Sequence, residues 1–287
     1  MVGARPLESA DVVIDPVLDI DWLAVHRADV VLADVRWYLG GPPGGEAYAR
    51  GHIPGAVFVG LDSVLSAPAG PDTGRHPLPE PVRLAAAMEE VGIGDRDTVI
   101  AYDDEGGVIA SRLVWMLRSL GSEAALLDGG IAAWTGPLQS GREARPRARF
   151  VPRPWPSDLI APIEEVATLD GREVLIDARD RSRYAGLEPD PIDPRSGHIP
   201  GAHSLPAREN TRPDGLTLSP QELRERFAAV GAIPGAGVVV YCGSGVSACH
   251  DLLMLERAGL APGRLYVGSW SQWSRDQARP IATGLDG

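Results

Sequence analysis

Short runs of β-branched and aliphatic residues alternate along this chain with longer stretches whose apolar positions recur every three or four residues. In the first half the runs predict strands near 30–34, 56–59, 98–102 and 124–127, and the periodic stretches predict helices near 20–27, 81–91, 108–120 and 130–135. In the second half strands are expected near 173–177, 202–205, 236–241 and 264–267, and helices near 161–168, 219–230, 246–258 and 269–276. Pro81 and Pro220 stand in predicted first turns, where a missing N–H costs nothing. Strands separated by amphipathic helices build a mainly parallel sheet with helices on both faces, so the fold class is α/β.

The two halves repeat one another. Val31-Leu-Ala-Asp-Val-Arg-Trp37 returns as Val174-Leu-Ile-Asp-Ala-Arg-Asp180, and Gly51-His-Ile-Pro-Gly-Ala56 returns unchanged as Gly197-His-Ile-Pro-Gly-Ala202. Val99 to Tyr102 answers Val238 to Tyr241, and Gly129 to Trp134 answers Gly268 to Trp273. An offset that stays near about 140 residues over four blocks means duplication with small loop insertions. Two tandem domains are therefore expected, 1–145 and 146–287, the second beginning with a linker that runs to about 156. The whole stretch from Gly136 to Pro156 is rich in Pro and Arg and lacks either period, as an extended connection would. A site between two such domains draws residues from both.

Composition narrows the function classes. No apolar run among the 287 residues is long enough to cross a bilayer. The formal charge of -12 argues against a nucleic-acid backbone or an anionic membrane surface as partner. Met1 to Ser9 lacks the basic and apolar segments of a secretory signal, so a cytoplasmic protein is expected. Two cysteines, Cys242 and Cys249, share one loop and helix start, too few for a disulfide framework and without the Cys/His company of a zinc site. No metal and no cofactor is implied.

The chemistry centres on Val238 to Cys249. A β-branched run, Val238 to Val240, reads as a central strand, and Val246, Leu252, Leu253, Leu255 and Leu260 have the spacing of a helix. Cys242 lies between them. There a thiolate faces the amides of Gly243, Ser244, Gly245, Val246 and Ser247, and the helix dipole favours negative charge on the sulfur. A cysteine phosphatase needs an arginine six positions on, where this chain has Ala248, so the loop suits a sulfur or a mono-anion better than a phosphate. The bland alternative is an inert core cysteine, which has no need of a Gly-Ser-Gly turn behind it. In the first half Asp103 follows Tyr102, with Asp104 and Glu105 next, and three acids repel an anion. That domain is expected to be non-catalytic.

Together these residues resemble the two-domain rhodanese family, and the Cys242 to Cys249 loop is similar to that of its 3-mercaptopyruvate sulfurtransferases. Thiosulfate-preferring members usually carry basic residues directly after the cysteine, where this chain has Gly243 and Ser244. The resemblance implies two rhodanese-like domains and a sulfurtransferase. Cys242 would take sulfur from a small-molecule donor, favoured as 3-mercaptopyruvate, and pass it to cyanide or to a thiol acceptor such as thioredoxin or a low-molecular-weight thiol. Thiosulfate as donor and a non-catalytic persulfide carrier or sensor are the alternatives.

The resemblance also assigns residues. Arg183 matches an arginine that reaches the substrate, whereas Arg179, beside Asp177, reads as a structural ion pair. A second arginine is common after a Glu-Pro pair; here Glu188-Pro189 is followed by Ile192 in that place, with Arg195 as a candidate substitute. Ser244 matches a serine that helps polarise the donor with a histidine and an acid from the first domain. His52 matches that histidine, or else bonds the backbone inside its turn as His198 does, and Glu46 is the nearest acid before it. Arg75-His76-Pro77 lies on a loop that in similar proteins faces the other domain, where His76 is read as solvated or as lining the cleft. Cys249 is read as packed in the helix's first turn or as a redox partner of Cys242, and Trp134 and Trp273 as caps on the cores. Val267 replaces an aspartate that the first copy keeps as Asp128.

Overall fold

The computed structural model describes residues 14–169 and 171–285, so the segment Met1 to Ser9 lies outside the described residues. The first half runs β1 (Val17–Leu18), α1 (Ile20–His26), β2 (Val30–Asp34), α2 (Gly44–Arg50), β3 (Val57–Phe58), α3 (Pro81–Val91), β4 (Thr98–Tyr102), α4 (Ser111–Ser119) and β5 (Ala124–Leu127). The second half runs α5 (Ile163–Val166), β6 (Glu173–Asp177), α6 (Arg181–Ala185), β7 (Ala202–Ser204), α7 (Pro220–Ala228), β8 (Gly237–Tyr241), α8 (Ala248–Arg257), β9 (Arg264–Leu265) and α9 (Ser269–Trp273). Both sheets are parallel, ordered β1-β5-β4-β2-β3 and β7-β6-β8-β9. The second half reduces β1 to a single bridge between Ile160 and Leu265. β2 is buried along its whole length because layers cover both its faces, which is why it reads as a continuous apolar run and not as an alternation.

Each Asp-x-Arg motif ties a strand end to its Gly-His-Ile-Pro-Gly turn. Arg36 Nη2 donates to Asp34 Oδ2 at 2.6 Å and to the Gly51 carbonyl at 2.7 Å; Arg179 does the same to Asp177 at 2.6 Å and Gly197 at 2.7 Å. His198 closes the second turn, its Nδ1 donating to the Tyr184 carbonyl at 2.9 Å and its ring stacked on Tyr184.

Several elements depart from expectation. β1, α2 and α6 were not foreseen, and 130–135 forms only a 3-10 turn over Gly130–Ala133. α2 begins inside a Gly/Pro run that reads as a loop. Its Gly44 is pressed so closely on the backbone that a Cβ would lie 1.7 Å from the Arg36 carbonyl oxygen, so the position excludes any side chain. α6 has five residues, too few to show a period.

The halves are packed into one unit. α4 and α8 lie against each other, and Leu113, Met116 and Leu117 share a continuous core with Leu252, Leu253 and Met254. Full burial of such side chains is worth about 1.5–3 kcal/mol each, so the interface is not a loose hinge. The Gly136 to Pro156 segment is extended and pinned to the first half. Phe150 is buried, Arg153 pairs with Asp95 at 2.9 Å, and Trp155 stacks on Trp115 and donates to the Pro79 carbonyl at 2.9 Å. Among the described residues no helix is long and apolar enough to cross a membrane.

Candidate active site

Cys242 leaves the end of β8 and lines the floor of a cleft of about 160 Å³ between the halves. The residue is only 2% exposed, yet its sulfur is not sealed in apolar surroundings: the Gly245 N–H donates to Sγ at 3.1 Å. Gly245 has φ 75°, and a Cβ there would lie 2.6 Å from the Val267 carbonyl oxygen, so the turn requires glycine. The base of the loop is tied to α9: the Cys242 carbonyl accepts from Trp270 N–H at 2.9 Å and the Gly243 carbonyl from Ser271 N–H at 2.9 Å. Cys242 N–H donates to Ser269 Oγ at 3.1 Å, and that hydroxyl donates to the Tyr266 carbonyl. These bonds hold Ser269 at φ 53°, a left-handed conformation unusual for a side-chain-bearing residue. The amides of Gly243, Ser244, Val246 and Ser247 have no protein acceptor among the described residues, which leaves them to an anion.

The first half shows what such a loop holds. Asp103 Oδ1 accepts from Glu105 and Gly107 N–H at 2.9 and 2.8 Å, and Oδ2 from Ile109 and Ala110 N–H at 2.8 Å each. Burial pushes this carboxyl up while the four donors pull it back. The expectation that the acids simply repel an anion misses this arrangement, because the loop already contains one.

Two arginines flank the second loop. Arg183 donates through Nε and Nη2 to Asp190 Oδ2 at 3.1 and 3.0 Å and through Nη2 to Asp193 Oδ2 at 2.9 Å. Arg75, from the first half, pairs through Nη1 with the other oxygen of Asp193. A Cβ on Gly243 would lie 3.0 Å from Arg75 Nη2 and 3.3 Å from Arg183 Nη1, so both guanidiniums overhang the residue after the cysteine. Arg195 does not reach the cleft. Its guanidinium is spent on the carbonyls of Ser274, Arg279, Trp273 and Asp276. The second guanidinium over Gly243 is that of Arg75, supplied across the interface.

Ser244, Val246 and Ser247 line the cleft with Cys242, but His52 is not brought there. It is fully buried within its own turn, Nδ1 donating to the Tyr48 carbonyl at 2.9 Å and its ring stacked on Tyr48, as His198 is on Tyr184. Glu46 is likewise remote, at the surface 3.9 Å from Arg50. His76 stands beside Ser244 instead. Its Nδ1 lies 2.8 Å from Ser244 Oγ, and its Nε2 lies 3.4 Å from Asp62 Oδ1. Burial pushes His76 down to about 4, with Asp62 opposing and Arg112 and Arg75 adding to the effect, so the ring is neutral at neutral pH. The tautomer that serves both neighbours carries its proton on Nε2 toward Asp62 and accepts from the Ser244 hydroxyl at Nδ1. Trp37 packs edge-on against His76 and donates to Asp62 Oδ2 at 2.8 Å, fixing the line of three.

Cys249 points away from catalysis. Its Sγ donates to the Gly245 carbonyl at 3.3 Å, and burial pushes the thiol up to about 12, so it packs as a neutral group. Sequence reasoning missed Asp62 and Arg75. A charged pair directly before a proline in a long predicted loop was the available signal for Arg75-His76, and no local pattern marked Asp62.

Comparison with known proteins places the fold. The Rhodanese-like domain matches residues 20–137 and again 156–276. A Pseudomonas aeruginosa protein named a probable 3-mercaptopyruvate sulfurtransferase is 42% identical over 273 residues, covering 91% of this chain and 94% of its own. A Mycobacterium tuberculosis protein named a putative thiosulfate sulfurtransferase, SseB, is 37% identical, covering 89% of this chain and 91% of its own. The crystal structure of SseA from Escherichia coli, a 3-mercaptopyruvate sulfotransferase, superposes with a TM-score of 0.79 at 32% identity, covering 90% of this chain and all of that one. With the domain present twice and such relatives spanning most of its length, the chain belongs to the rhodanese family.

Proposed function

We propose that this sulfurtransferase moves a sulfur atom from 3-mercaptopyruvate through a Cys242 persulfide to a thiol or cyanide acceptor, with residues 146–287 carrying the chemistry and residues 1–145 completing the cleft. The observation that carries the reading is the pair of guanidiniums, Arg75 and Arg183, overhanging Gly243 next to the cysteine. A carboxylate bridging them would set the donor's sulfur over Cys242 Sγ. Arg75, Arg179 and Arg183 are paired with Asp177, Asp190 and Asp193, which hold the two overhanging guanidiniums in place to meet a carboxylate through directed hydrogen bonds.

In the transfer the thiolate forms an S–S bond to the donor sulfur as the donor C–S bond breaks. The electron pair passes into the adjacent ketone as an enolate, which takes a proton to leave pyruvate. The Ser244 hydroxyl, oriented by His76 and Asp62, meets the developing enolate oxygen. The loop amides hold the persulfide anion until an acceptor thiolate attacks its outer sulfur. Thioredoxin or a low-molecular-weight thiol fits that second step, and the reducing cytoplasm suits two free cysteines.

Mass spectrometry after exposure to 3-mercaptopyruvate tests the reading. One added sulfur atom on Cys242, absent in Cys242→Ser, is expected. A side-by-side kinetic assay in which thiosulfate matches or exceeds mercaptopyruvate would replace the donor, and no sulfur uptake from either would end the enzyme reading.

A further inference from the structure

The fully buried Arg112, on α4 of the non-catalytic half, enters the account above only through its effect on His76. Its Nη1 donates to the Gly245 carbonyl at 2.9 Å and its Nη2 to the His76 carbonyl at 3.0 Å. Nε has no partner, and among the described residues no carboxylate forms an ion pair with this guanidinium. A buried cation whose partners are two carbonyls and the neutral Cys249 thiol is costly unless an anion shares its surroundings. The group it holds belongs to the sulfur-binding loop.

A trans peptide points its carbonyl and its N–H in opposite directions. Arg112 and the Cys249 thiol hold the Gly245 carbonyl inward, so the N–H of the same peptide, on Val246, is turned outward to the cleft that Val246 and Cys242 line. The first half contains the same device with its anion in place. Aligning Met116-Leu117 of α4 with Met254-Leu255 of α8 sets Arg112 opposite His250. His250, from α8, faces the Gly106 carbonyl of the first loop, and the N–H of that peptide, on Gly107, donates to Asp103 at 2.8 Å. The His250 contact falls short of a well-formed hydrogen bond. The charges differ as the anions do: burial pushes His250 down to about 4, so the loop with a built-in carboxylate is met by a neutral ring, and the loop with the cysteine by a permanent cation.

We propose that Arg112 is a positioning residue for Cys242. From the other domain it turns the Gly245–Val246 peptide so that Val246 N–H meets the sulfur anion, and it supplies that anion's buried counter-charge. The inference rests on the reading of Cys242 as the sulfur carrier. Its test uses iodoacetamide in place of a sulfur donor, so the two can fail separately.

The pH profile of Cys242 alkylation is compared in the wild type, Arg112→Gln and Arg112→Lys, in full-length protein shown to be folded by circular dichroism. Glu105, Arg208, Asp180 and the arginine cluster around the cleft are untouched by these changes. Arg112→Gln is expected to slow alkylation at neutral pH about tenfold, with the rate recovered at alkaline pH, while Arg112→Lys loses about half as much on a logarithmic scale. Profiles that superimpose on the wild type overturn the proposal. Should both variants fail to fold, the Val246 amide proton of the wild type decides: a downfield shift as Cys242 ionises supports the assignment, and an unmoved signal overturns it.

Discussion

Gly243→Ala isolates the grip on the donor carboxylate without removing either arginine. Gly243 does not use the left-handed region, so its backbone accepts alanine, but the new methyl lies 3.0 Å from Arg75 Nη2 and 3.3 Å from Arg183 Nη1. Both distances fall short of an ordinary carbon contact by a few tenths of an ångström. Neither guanidinium can swing clear easily, because Asp193 holds both and Asp190 holds Arg183 again. Losing one charge-assisted bond to the carboxylate is worth roughly 1.5–3 kcal/mol, and the lower end applies to this partly open site. The KM for 3-mercaptopyruvate should therefore rise about tenfold, with kcat affected less. Steady-state kinetics with 3-mercaptopyruvate and with a mercaptoketone that lacks the carboxylate make the comparison. An unchanged KM, or an equal loss with both donors, refutes the reasoning.

Asp103→Ala strips three buried amides and one partly buried amide of their acceptor and should lower unfolding stability by about 3 kcal/mol, read from the denaturation midpoint; an unaltered midpoint contradicts the account of the first loop. Burial pushes Asp251 up to about 8, so between pH 4 and 8 the folded state keeps a proton that the unfolded state releases, and stability falls as pH rises through that window. Asp251→Asn should accordingly stabilise by at least about 1 kcal/mol at pH 8 and by almost nothing at pH 4, checked by urea unfolding at both. Arg195→Ala should cost about 2 kcal/mol of stability while leaving the donor KM unchanged, and a raised KM would return it to the donor site.

Much of the site was legible because it is local. Strand, tight turn, cysteine and helix follow one another within a dozen residues, and the amide-lined loop needs little beyond the glycines that let it curl. Arg183 lies in the short helix α6 that follows the neighbouring strand β6 of the same half, within reach of Asp190 and Asp193. His52 shows the opposite case. Its motif occurs twice, and both copies use the histidine to bind the carbonyl of a preceding tyrosine, Tyr48 for His52 and Tyr184 for His198, a duty inside its own half that says nothing about the cleft.

By itself the sequence determined the duplication and the parallel α/β architecture and singled out the Cys242 loop and its acidic counterpart at Asp103, since each is written in periodicity or in adjacent residues. Only the tertiary structure decided which first-half side chains complete the site. Asp62, Arg75, His76 and Arg112 lie on a loop and a helix more than a hundred residues from Cys242, and they meet it because α4 and α8 bury a common apolar face. That burial is non-directional and carries no local signature of which polar groups it will bring together.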